Sequence, residues 1–192
     1  MTLEDLAQAI GRAKAVIDNG LCRVGPRLDR GDAQAAGLTG AASRALALSD
    51  AIVRLCRRDH PVEALPLLRQ LAETAVDARW LAADASRADA ASAALRASGW
   101  TGLWDDARLS SRAREAGMPE ADLAAVLALA ADFAAGNRAG APWSHIFAAN
   151  ARPAPAPEPV LTLAVRLMGH VLAGLEARWP GSFPGAEELC SS

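Results

Sequence analysis

The sequence has 192 residues, a net charge of −2 and 52% apolar residues, but only 4% aromatic residues and no tyrosine. This length suits a single domain spanning 1–192, and the interspersed charges leave no basic footprint for duplex nucleic acid. Three widely spaced cysteines, and an N-terminus without a long apolar core, indicate a cytoplasmic protein with no membrane partner. Abundant Ala and Leu with few β-branched residues predict an all-α fold.

The first half of the chain predicts three helices. The first begins after Thr2, a good helix cap, and ends at Gly20, a typical stop signal. The glycine-rich residues 21–38 are expected to form a loop. The second helix then covers 39–58 and the third 61–83, with a proline at its first position.

The second half of the chain predicts four more helices. They are expected at about 86–99, 105–116, 119–136 and 159–178. Residues 136–159 read as a Pro/Gly-rich internal loop with a polyproline-like end, and 182–192 as a loose tail. The whole pattern predicts a single-domain helical bundle of about seven helices, with a long Pro-rich loop before the last helix.

The last predicted helix is apolar over more than half of its circumference, more than one bundle face needs. We therefore expect it either to be central or to have a second partner, such as another copy of the chain in a homodimer. Arg166 and His170 share one face of this helix. We expect that face to be solvated.

The third helix contains the most informative polar residues. A helical wheel places Gln70, Thr74 and Asp77 on a narrow strip that we expect to face water. Arg69 and Glu73 lie off that strip, next to the apolar arc. Because opposite charges four residues apart can meet, the sequence predicts a buried Arg69–Glu73 pair. That pair either braces the bundle or lines an interior pocket.

The run ALPLLRQLAETAVDARWL (64–81) carries a pattern of an apolar pair, Arg, a short spacer, Glu and an apolar turn. In this pattern the sequence resembles uncharacterised bacterial all-helical families, DUF5677 and DUF6988. The resemblance implies a downstream loop histidine with a Ser or Thr beside it, which Ser144 and His145 in PWSHIF supply. Arg69, Glu73 and His145 are therefore the first candidate catalytic residues.

Families of this kind are distantly similar to HEPN domains, in which an Arg and a following His cut RNA without metal. Arg54 and His60 supply that pair here, but Leu55 stands where a polar residue is usual. The residues themselves also support a structural interpretation. Asp50, one turn before Arg54, favours a surface ion pair, and His60 precedes Pro61 as a helix cap.

The sequence contains no Gly-rich phosphate loop, HExxH motif, cysteine pair or di-iron carboxylate set, so no cofactor and no metal are predicted. Two functions stay open. One is a non-enzymatic helical-bundle protein in which the Arg69–Glu73 pair is architectural. The other is a HEPN-like metal-independent RNase, or a defence- or toxin-associated protein, that uses His60 with Arg54 or His145 with Arg69. RNA is a partner only in the second case.

Overall fold

The protein is represented by a computed structural model that describes residues 1–29, 31–98, 106–131 and 155–186. Across these ranges it has seven α-helices and no strand. In chain order they are α1 (Leu3–Val24), α2 (Ala33–Arg57), α3 (Pro61–Ala83), α4 (Ser86–Ser98), α5 (Asp106–Glu115), α6 (Glu120–Ala131) and α7 (Pro157–Arg178). The prediction of an all-α bundle of about seven helices is therefore confirmed.

Helix α1 begins where the sequence predicts. The Thr2 side chain accepts from the Asp5 amide at 3.2 Å, while the Thr2 amide donates to the Asp5 carboxylate at 2.8 Å. The predicted end at Gly20 is wrong, because the helix continues to Val24. Gly20 instead allows a close approach: a Cβ there would lie 2.0 Å from the Phe183 ring.

Helix α2 begins earlier than predicted, so the expected loop over 21–38 is mostly helical. The carboxylate of Asp32 accepts from the Ala35 amide at 2.8 Å and caps the helix. The same carboxylate accepts from Arg178 at 2.7 Å, which ties the start of α2 to the end of α7. Helix α3 has its predicted bounds, with Pro66 on its exposed side.

Helices α3 and α7 form the centre of the bundle. Helix α7 packs against α1, α2, α3 and α6, which confirms its predicted central position. It crosses α3 at Gly174, where a Cβ would lie 2.8 Å from the backbone carbonyl of Ala78. By length and composition alone α7 could cross a membrane, but 61% of its most apolar window is buried inside the bundle.

The segment after α7 folds back onto α1. The Glu176 carboxylate accepts from the amides of Gly181 and Phe183, and the Phe183 ring is buried. The tail that we expected from residue 182 is therefore packed as far as Ala186, which is also buried.

Helices α5 and α6 both pack against α3, and α6 also packs against α7; we call residues 106–131 the α5–α6 hairpin. The turn between them uses Gly117 at a φ of +63°, which an L side chain rarely adopts. The Arg79 guanidinium on α3 donates to the carbonyls of Ala116 and Gly117, each at 3.3 Å. These bonds fix the end of α5 against α3.

Candidate functional site

Arg69 and Glu73 meet on one face of α3, as predicted. Arg69 Nε lies 3.2 Å from Glu73 Oε1, and the side chains are 30% and 19% exposed. The pair is therefore partly buried, whereas we expected water to be largely excluded. Water still reaches the guanidinium, so this pair is screened more than a fully enclosed one.

Asp77 lies one turn further along α3, and the prediction that it faces solvent is wrong. Arg112 on α5 donates to Asp77 Oδ1 at 3.1 Å, and the two side chains are only 16% and 21% exposed, respectively. Burial, with a smaller contribution from the nearby charge of Glu73, raises the pKa of the Asp77 carboxyl to about 7, although the guanidinium of Arg112 opposes the rise. Asp77 is thus a carboxyl group that can hold a proton near neutral pH.

Trp80 lies on α3 next to the Asp77–Arg112 bridge. Its indole Nε1 donates to the Glu115 carboxylate at 2.8 Å. The guanidinium carbons of Arg112 and Arg87 lie 4.9 and 5.2 Å from its ring centroid, within cation–π range. Arg87 also donates to the Trp80 carbonyl at 3.0 Å. Trp80 therefore joins α3 to both α4 and α5.

Arg69, Glu73 and Asp77 of α3, with Arg112 of α5, form a row that we call the charged strip. The sequence predicts the contact of Arg69 with Glu73, but not that Asp77 and Arg112 continue the row. A signal was present, because Glu73 and Asp77 are like charges four residues apart, which is unfavourable unless another element supplies a cation. Arg112 also shares helical spacing with the buried Leu109 and Ala116, which marks it as inward-facing.

A second ionic group joins α6 to α7. Asp122 Oδ2 lies 2.9 Å from His170 Nε2, and Asp122 Oδ1 accepts from Arg166 at 3.2 Å. Asp122 and His170 are mostly buried, whereas Arg166 is exposed. The prediction that His170 faces solvent is therefore wrong, because the Asp122 carboxylate on α6 covers its ring.

Arg54 and His60, the RNase candidates, have ionic partners outside the charged strip. Arg54 contacts Asp50 at 2.6 Å with a side chain that is 76% exposed, so the predicted surface ion pair is confirmed. His60 occupies the cap position of α3, but its side chain bonds no backbone amide there. Its Nδ1 is instead 4.0 Å from the Glu63 carboxylate, and the ring is exposed. Each candidate thus faces a different carboxylate.

The remaining candidates are Ser144 and His145. Both lie outside the described residues, so the expectation that His145 works with Arg69 stays a prediction. Within the described ranges, no three His, Cys, Asp or Glu residues are grouped to hold a metal ion. Burial and the Glu158 charge raise the pKa of the Cys56 thiol to about 11, which keeps it protonated and unreactive.

The fold and the charged strip define a helical bundle in which α3 carries partly buried charges. Residues 35–120 match the model of a family of unknown function, DUF5677. The match spans α2 to α5 and contains the whole charged strip, which supports the resemblance to that family read from the α3 motif. No curated protein and no solved structure matches the chain.

Proposed function

We propose that this chain is a non-enzymatic helical-bundle protein of the DUF5677 family, cytoplasmic in location, whose charged strip is architectural. In this role the charged strip holds the α5–α6 hairpin against α3, so that the bundle keeps one arrangement of its helices. The observation that carries the proposal is the Asp77–Arg112 bridge, in which two mostly buried groups neutralise each other across the helix interface.

The energetics of buried ion pairs support this role. A buried pair adds little net stability over apolar residues of the same size, but removing one partner strands a charge and costs about 3–5 kcal/mol. Arg112 also packs over Trp80, so its replacement loses contact area as well as charge. The bridge therefore selects one docking geometry for α5, because any misplacement leaves a desolvated charge unpaired.

The test is a double-mutant cycle measured by denaturant unfolding at pH 8, where Asp77 is ionised. Arg112→Met alone should lower the free energy of unfolding by about 3 kcal/mol, and Asp77→Asn with Arg112→Met should recover part of that loss. Arg54→Met is the matched control, since it breaks an exposed pair and should cost at most about 1 kcal/mol. Equal losses for Arg112→Met and Arg54→Met would contradict the architectural role.

RNA cleavage is the outcome that would replace this function with the HEPN-like alternative. Purified protein incubated with single-stranded and structured RNAs in the presence of a chelator should leave them intact. Cleavage that His60→Ala or Arg54→Ala abolishes, with the helical circular dichroism unchanged, would establish the alternative. Light scattering of the same preparation tests whether the protein is a homodimer. The apolar residues of α7 are covered within the bundle, so a second copy of the chain is not needed to cover them.

A further inference from the structure

The contact between α6 and α7 brings a histidine, a carboxylate and a guanidinium together outside the charged strip. His170 Nε2 on α7 lies 2.9 Å from Oδ2 of Asp122 on α6, and Asp122 Oδ1 accepts from Arg166 at 3.2 Å. Arg166 and His170 are four residues apart on α7, so their side chains leave the helix on the same face. The architectural role proposed for the charged strip makes no use of these three residues.

The Asp122 carboxylate determines which nitrogen of His170 carries the hydrogen. A carboxylate only accepts hydrogen bonds, so Nε2 is the N–H donor in this contact. In the neutral ring Nδ1 is then the nitrogen with the available lone pair. A carboxylate in this position fixes the orientation of a histidine ring and stabilises a positive charge that forms on it. Asp122 therefore prepares Nδ1 of His170 to act as a nucleophile.

Nδ1 of His170 is open to solvent. It makes no hydrogen bond to a described residue, and Arg178 Nε is the only buried side-chain nitrogen or oxygen without a partner in the described ranges. The His170 side chain is 16% exposed, so most of the ring is held between the helices while this nitrogen faces water. A ring with one nitrogen fixed and the other accessible can attack an electrophile without first changing its orientation.

Arg166 supplies a positive charge on the same face of α7. Its side chain is half exposed and uses one N–H group on Asp122, so further guanidinium donors point to water. Such donors bind the oxygens of a phosphoryl group well, because their planar fork matches the oxygen positions. An electrophile that carries negatively charged oxygens is therefore favoured over a neutral one at this position.

We propose that His170 is a phosphoryl-acceptor residue, which takes a phosphoryl group on Nδ1 from a donor with a phosphorus–nitrogen bond. The donor's phosphorus–nitrogen bond breaks as the Nδ1–phosphorus bond forms, and the amine leaves with the electron pair of the broken bond. Because the neutral ring has no hydrogen on Nδ1, it loses no proton and becomes a cation beside the Asp122 carboxylate. Arg166 binds the phosphoryl oxygens in the product.

The test is a reaction of the full-length protein with phosphoramidate, a small donor of this class. Tryptic peptides that are kept at alkaline pH, because phosphohistidine is labile to acid, report each histidine separately. Phosphate should form on the His170 peptide about tenfold faster than on the His60 peptide, the factor expected from one hydrogen bond to a charged group. His60 is the matched control, because its ring is 57% exposed and its ionic contact with Glu63 is 4.0 Å long.

Two positions test the supporting roles. Arg166→Gln changes a half-exposed side chain and should slow the phosphorylation of His170 about tenfold, whereas Arg166→Lys keeps the charge and should recover part of the rate. Asp122 acts through the ring, so its test is spectroscopic. Heteronuclear NMR of histidine-labelled protein should show the tautomer with hydrogen on Nε2, and Asp122→Asn should give a mixture of both tautomers.

Three results would overturn the proposal. His60 that reacts faster than His170 would mean that the reaction follows exposure alone. A His170 peptide without phosphate, or an Arg166→Gln protein that reacts as fast as the unchanged protein, would equally refute it. These results do not depend on the double-mutant cycle at Asp77 and Arg112. A weak bridge in that cycle would contradict the architectural function and leave the acceptor site unaffected.

Discussion

Replacing Gly174 by alanine should destabilise the protein, because α3 and α7 cross at this residue. An added Cβ would lie 2.8 Å from the backbone carbon and oxygen of Ala78 and 3.2 Å from the Arg79 amide nitrogen. Backbone atoms in the middle of a packed helix cannot move aside as a flexible side chain can, so α7 must shift away. Overpacking of this kind costs roughly 1–3 kcal/mol.

Helix propensity works in the opposite direction and sets the size of the net effect. Alanine is favoured over glycine inside a helix by about 1 kcal/mol, so we expect a net loss of up to about 2 kcal/mol. Gly40→Ala is the matched control, because Gly40 is exposed within α2 and a Cβ there meets nothing within 4 Å. That variant should gain up to about 1 kcal/mol. The free energy of unfolding, from urea titrations of both variants, gives the comparison, and a Gly174→Ala protein as stable as Gly40→Ala would refute the close crossing.

Three further predictions concern α1 and the thiols. Gly20→Ala should cost up to about 2 kcal/mol in urea unfolding, because the new Cβ would lie 2.0 Å from the Phe183 ring while helix propensity offsets about 1 kcal/mol of the overpacking. Thr2→Ala should cost about 1 kcal/mol by the same measurement, because it removes the capping box of α1. A maleimide should modify the exposed Cys22 within minutes but modify the buried Cys56 only on unfolding, as mapped by peptide mass spectrometry.

The fold could be predicted because helical periodicity and capping residues agree along most of the described chain. Errors arose where a glycine was read from local propensity alone. Gly20 does not end α1. Its missing side chain instead leaves space for the Phe183 ring, a requirement that comes from a residue far along the chain. The early start of α2 is a different case, since Asp32 is an ordinary N-cap signal that the glycines around it obscured.

The charged strip could be predicted only in part, for a related reason. The Arg69–Glu73 contact is local to one helix, so spacing alone predicts it. The burial of Asp77 depends on Arg112 and therefore on where α5 docks, which no periodicity within α3 encodes. His170 was assigned to solvent for the same reason, because its cover is Asp122 on another helix. In both cases a wheel gives the direction of a side chain but not the partner that faces it.

The location of the family match gives the α3 motif a physical meaning. The matched segment, 35–120, contains all four members of the charged strip but ends before α7, the helix on which α3 is packed most extensively. It also ends before Asp122 and His170. The segment therefore carries a helix face with partly buried charges together with the α5 cation that neutralises it, while the apolar support comes from outside the match. Charged side chains on a core helix are costly unless each has its partner, so an Arg, a Glu and an Asp at these spacings require a docked α5. On this argument the motif specifies the docking of one helix on another.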